Sequence, residues 1–326
     1  MGVLSISPET YSKVTRMSLL LLAFIIITGA AVRLSGSGLG CSDWPTCESD
    51  QFVAQVDDIH AMVEFINRVI TGFVALAVMF AVLGSIFRVP RRRDLTYLSI
   101  GLVAGVLVQI LIGALVVREH LPPGLVIAHF LISMLLVWNA VELDYRSRSP
   151  DRLRKPTSYG LLERLASLLV FCATVVLVTG TIVTGSGPHS GAESQQTKKA
   201  LEASGIDVSS LSISELEVER LPFDVPVVAR VHGVSMIIFL SVMLLTILLI
   251  KKAHGSSLPT AQNLLAAAVV QGAIGYLQYF SDVPALLVGF HVAGATLVWV
   301  LALRLRLFTH FPTVTEQQIE TIPSNQ

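Results

Sequence analysis

Residues 124–142 read GLVIAHFLISMLLVWNAVE, an apolar run interrupted by His129, Ser133, Asn139 and Glu142. At a rise of about 1.5 Å per residue, such a helix matches a hydrocarbon core of about 30 Å. An imidazole at that depth is expensive and marks function by default. The run has a twin. Residues 283–303 read VPALLVGFHVAGATLVWVLAL, carrying His291 and Leu297-Val298-Trp299 where the first carries His129 and Leu136-Val137-Trp138.

The likeness extends upstream. Gln109-x-x-Ile112-Gly113 precedes His129 and Gln271-x-x-Ile274-Gly275 precedes His291, each Gln lying twenty residues before its histidine. Ser35-Gly36-Ser37-Gly38 and Thr184-Gly185-Ser186-Gly187 close two further apolar runs. Ordered matches of this kind indicate an internal repeat. Apolar runs lie at 17–33, 62–87, 97–117, 124–142, 163–184, 227–250, 261–280 and 283–303. The expected fold is therefore all-α: a polytopic membrane protein of eight transmembrane helices forming two parallel-repeat four-helix bundles. The N-terminal half is expected over 1–145, the C-terminal half over 146–310, and a disordered cytoplasmic tail over 311–326. Lys13 and Arg16 before the first run also resemble a cleaved signal sequence, but the same pattern recurs mid-chain and argues for a retained span.

Composition agrees. Of the 326 residues 53% are hydrophobic and 14% charged, against about a quarter charged in soluble domains, so lipid must solvate most of the surface. The net charge of zero argues against a nucleic-acid partner. Basic residues (Lys13, Arg16, Arg88, Arg91 to Arg93, Arg146, Arg148, Lys251, Lys252, Arg304) flank one end of the spans, and Asp43, Glu48, Asp50, Asp57 and Asp58 the other. The positive-inside rule then places both termini in the cytoplasm. The stretch at 189–222 faces outward, and its segment from Ser190 to Glu219 is expected to be solvated and partly helical. His120, His189, His254 and His310 are expected at the surface.

His60, His129, His232 and His291 lie in or atop spans two, four, six and eight, whose outer ends are level. Paired imidazoles on separate helices suit a planar metal macrocycle gripped from both faces. A histidine bonded to a neighbouring helix is the plain alternative for any one of them. Zinc would want a tighter cluster. Arg33, Arg68 and Arg230 near the outer ends can pair with propionates or snorkel toward headgroups. Glu64, buried in span two, is a candidate catalytic or proton-handling carboxylate, or else a salt-bridge partner of Arg68 or Arg33. It shares a helical face with His60 and Asn67. Cys41 and Cys47, six apart around Pro45 in an outward loop, can close a disulfide that is a staple or a redox-responsive pair. Cys172 is expected in the core.

The loop Cys41-Ser-Asp-Trp-Pro-Thr-Cys47, the Glu64-x-x-x-Arg68 element and the helix-top histidines resemble the haem A synthase family over nearly the whole chain. The resemblance implies an oxidoreductase that converts the ring-D methyl of haem O to a formyl group, giving haem A for cytochrome c oxidase. It implies haem B held by His232 and His291, haem O served by His60 and His129, and Glu64 taking part beside the substrate iron. It implies a prokaryotic plasma membrane and a haem O synthase as substrate donor. The electron acceptor is left open, as is a homo-oligomer. One element departs: the family's usual Glu-x-x-His-Arg reads here Glu64-Phe65-Ile66-Asn67-Arg68. His60 stands seven residues earlier, about 10 Å higher along a helix, so either the substrate sits high in this half or His60 guards its entrance and Asn67 makes a weaker contact. Two rivals are a dihaem cytochrome carrying electrons from quinol and a haem transporter or delivery chaperone.

Overall fold

The computed structural model describes residues 5–41, 44, 46–47, 53–149, 160–191, 205, 219–253 and 257–310. The tail at 311–326, most of the loop at 189–222, His254, and Asp43, Pro45, Glu48 and Asp50 of the first outer loop lie outside the described residues. Eight helices make up the described chain: α1 Pro8–Leu34, α2 Ile59–Phe87, α3 Arg93–Arg118, α4 Pro123–Arg148, α5 Leu161–Ser186, α6 Val225–Lys252, α7 Leu258–Phe280 and α8 Ala285–His310. The protein is an all-α, polytopic membrane protein.

Seven of these helices are long and apolar enough to cross a membrane; α7 is not among them. Its 23 residues reach about 35 Å, so length suffices. Gln262, Asn263, Gln271 and Gln278 dilute its hydropathy. Gln271 faces inward, buried and bonded to α8, where a polar side chain has a protein partner instead of lipid.

The helices overrun the apolar limits, α1 and α4 among those that do so most. Helix α1 begins at Pro8, not 17: the Ser7 side chain accepts from Thr10 N at 3.2 Å, and proline occupies the first turn. The added turns bury Tyr11 and Thr15, whose hydroxyls pair with Ser99 and Ser147 at 3.0 and 2.8 Å. Polar contacts of this kind are invisible to a hydropathy window. Helix α4 runs to Arg148, so the expected division at 145–146 falls inside a helix. Pairs one turn apart, Glu142–Arg146 at 2.5 Å and Asp144–Arg148, sustain it.

Helix α1 packs on α2 and α4, and α3 on α2 and α4; α5 packs on α6 and α8, and α7 on α6 and α8. Contacts α1–α8, α4–α8 and α4–α5 join the two sets. At α4–α8 the two matching tryptophans meet: Trp138 and Trp299 cross edge to face with centroids 5.9 Å apart, and Trp299 Nε1 donates to the Met134 carbonyl at 2.9 Å. Lower down, buried Asp144 pairs with Arg148 and, at 3.4 Å, with Arg304 of α8.

The turns α3–α4 and α7–α8 share a backbone conformation. His120 and Leu121 have φ of 60° and 61°, Asp282 and Val283 of 60° and 56°. Leu121 N donates to Val116 O, and Val283 N to Gln278 O, both at 2.8 Å. His129 and His291 each stand eight residues beyond the second left-handed residue, so identical turns put both imidazoles at the same height on their helices. Of the remaining histidines, His189 is more than a surface residue, because its Nε2 meets the Val283 carbonyl at 2.8 Å.

Candidate functional site

His232 is the eighth residue of α6 and His291 the seventh of α8. Their rings meet edge to face with centroids 6.4 Å apart and planes at 72°. A first-row metal–imidazole bond is about 2.0–2.1 Å and a ring nitrogen lies about 1.1 Å from its ring centre, so two imidazoles sharing one metal need centroids about 6.3 Å apart. The observed separation meets that requirement.

The surroundings hold the rings in place. Thr179 Oγ1 of α5 lies 3.0 Å from His232 Nδ1. Gln271 Nε2 of α7 donates to the His291 carbonyl at 2.7 Å. Each ring lies against a glycine of the neighbouring helix: a methyl on Gly180 would stand 3.1 Å from His232 Cε1, and one on Gly275 3.0 Å from His291 Cε1. His291 Nδ1 is buried without a hydrogen-bond partner among the described residues.

The first four helices repeat part of this. His129 is the seventh residue of α4. Gln109 Nε2 of α3 donates to its carbonyl at 2.9 Å and to Ser133 Oγ at 2.5 Å. A methyl on Gly113 would be 3.5 Å from His129 Cε1, and His129 Nδ1 has no partner among the described residues. Among the described residues no second imidazole joins it. His60, the second residue of α2, is exposed and its Nδ1 meets Ser37 Oγ at 3.0 Å. Asn67, the ninth residue, has its Oδ1 buried without a hydrogen-bond partner among the described residues.

Glu64 is 5% exposed and fully engaged. Its Oε1 accepts from Arg68 Nη2 at 2.5 Å and Nε at 3.2 Å, and its Oε2 accepts from Cys41 N at 3.0 Å. Arg68 Nη1 in turn donates to the Thr46 carbonyl at 2.9 Å. The pair thus pins both ends of the loop closed by the Cys41–Cys47 disulfide to α2. Arg33, half-buried, and Arg230, exposed, make no ion pair with a described residue. Cys172 is buried in α5 as expected. Gln109, Gln271, Gly113 and Gly275, which seat His129 and His291, were visible as repeat residues, but their roles were not, and Gly180 beside His232 was not singled out. Thr179 carried no signal, since only the α5–α6 packing brings it to His232.

The family model described as cytochrome oxidase assembly protein, COX15-CtaA, matches residues 13–303. The chain belongs to this family. It is 26% identical over 160 residues to a protein named heme A synthase from Exiguobacterium sp. strain AT1b, covering 49% of this chain and 52% of that one. Over 176 residues it is 29% identical to heme A synthase of Staphylococcus saprophyticus, covering 51% and 56%. Over 174 residues it is 32% identical to heme A synthase of Macrococcus caseolyticus, covering 50% and 55%. The chain spans about half the length of the curated relatives it matches.

Proposed function

We propose that this family member is a haem A synthase of a bacterial plasma membrane, oxidising the ring-D methyl of haem O to the formyl group of haem A for cytochrome c oxidase. The facing His232–His291 pair carries the reading, because its 6.4 Å separation suits a metal held between two imidazoles and family membership makes haem the natural macrocycle. His232 and His291 are assigned to a resident haem B, and His129 to haem O. When bound, the haem groups supply the iron redox chemistry. Family resemblance and the shared Gln–His–Gly settings support two related four-helix halves, 1–145 and 146–310 in outline. The distribution of Lys and Arg supports cytoplasmic termini.

The chain's own groups do the rest. Gln109 and Gln271 fix the helices that carry His129 and His291. Arg33 and Arg230 are assigned to propionates, which guanidinium suits, and Arg68 contributes through Glu64. Glu64 is kept in the chemistry by the family element, and its contacts add a second task, holding the disulfide loop against α2. His60, bonded to Ser37, is assigned to the entrance. A haem O synthase is the expected donor of substrate. Detergent-purified protein incubated with haem O and an electron acceptor should yield haem A on extraction. Unchanged haem O with a reducible haem spectrum would instead make the chain an electron-carrying dihaem cytochrome, and stoichiometric release of unaltered haem would make it a delivery protein.

A further inference from the structure

We infer, on the basis of the proposed haem function, that the two halves coordinate iron unequally: two imidazoles in the second half, and His129 alone in the first, with the Asn67 carboxamide nearest the register of the missing partner. The comparison is internal to the chain. His129 and His291 occupy equivalent settings: the seventh residue of the helix, the same preceding turn, a Gln bonded to the carbonyl and a Gly at the ring. Their partner helices differ. His232 is the eighth residue of α6, and Asn67, the ninth of α2, is the polar residue nearest that register. His60 is the second residue, about 10 Å farther out along the helix, exposed and occupied with Ser37.

Asn67 is not merely a spacer. A buried amide oxygen without a partner is costly, and Asn67 Oδ1 is one of five such amide oxygens among the described residues. A carboxamide can donate and accept hydrogen bonds, but its carbonyl is a poor match for iron where imidazole is a good one. One half would therefore hold its macrocycle by two iron–nitrogen bonds and retain it, and the other by one and release it. That asymmetry suits a resident cofactor beside a substrate that must enter and leave.

The test uses the full-length protein in detergent, loaded with ferric haem to two per chain and read by electron paramagnetic resonance. High-spin and low-spin haem are expected in equal amounts. Asn67→His should convert the high-spin half to low-spin and slow its transfer to apomyoglobin by roughly tenfold or more. His129→Ala should remove the high-spin signal alone, and His60→Ala should leave both signals in place, which keeps the test open if the Asn67 variant does not fold. A two-haem protein that is wholly low-spin overturns the inference, and loss of that state in His60→Ala would make His60 the ligand. Protein that takes up no haem overturns the proposed function along with it.

Discussion

Gly275→Ala separates the fit of His291, assigned above to haem, from the stability of its helix. The added methyl would lie 3.0 Å from His291 Cε1, 3.6 Å from Nδ1 and 3.9 Å from Nε2. Ordinary carbon contacts are about 3.5–4.0 Å, so the imidazole must give way by about 0.5 Å or more. Metal–ligand distances tolerate about 0.2 Å, so the displacement exceeds what a bond to iron absorbs. Changes that misorient a ligating histidine cost about 10–100-fold in metal affinity, and haem retention should fall by that factor. The helix itself should not suffer, because replacing glycine by alanine favours a helix by up to about 1 kcal/mol. Haem transfer to apomyoglobin and thermal unfolding of the haem-free protein measure the two effects separately. The control is Gly272→Ala, one turn away on the same helix, where a methyl meets nothing within 4 Å. Equal haem retention in the two variants would refute the assignment of Gly275 as the seat of His291.

Two further outcomes follow from the packing. Arg68→Met leaves the Glu64 carboxylate buried without its cation, held by backbone amides such as that of Cys41. Breaking a buried pair costs about 3–5 kcal/mol, reduced here to about 1–3 kcal/mol because the Arg68 side chain is 20% exposed. Thermal unfolding should register the loss, and dithiothreitol should reduce Cys41–Cys47 faster. A Glu64→Gln, Arg68→Met double variant should be less destabilised than the two single changes added together, and strict additivity would show the pair to be uncoupled. Trp299→Phe removes the bond to the Met134 carbonyl between α4 and α8. It should cost about 1 kcal/mol, seen as a lower unfolding temperature with the haem spectrum unchanged, and a spectral change would mean that this interface reaches the site.

Much of the fold was legible because the membrane imposes a simple rule: a run of apolar residues long enough to cross lipid must be a helix. That rule located all eight helices of the described chain. It failed where polar groups find protein partners, as in the first turns of α1, where Tyr11 and Thr15 bond to α3 and α4. It also overstated the apolarity of α7, whose Gln271 turns inward. In the site, the histidines stood out because imidazole is rare in lipid. The glutamines that brace them stood out only as repeated letters.

From the sequence alone came the all-helical membrane architecture, the repeat and the four candidate histidines, because each rests on composition or spacing along one chain, while the departure at Asn67 came from the family resemblance. Tertiary structure decided which histidines meet. His232 and His291 converge at 6.4 Å, whereas His60 turns to Ser37, and spacing along α2 could not choose between those partners. It also gave Glu64 its companions, Arg68 and the Cys41 amide. The physical reason is common to both cases: a side chain's partner across a helix interface depends on how two helices are rotated and staggered, and a linear sequence carries neither quantity.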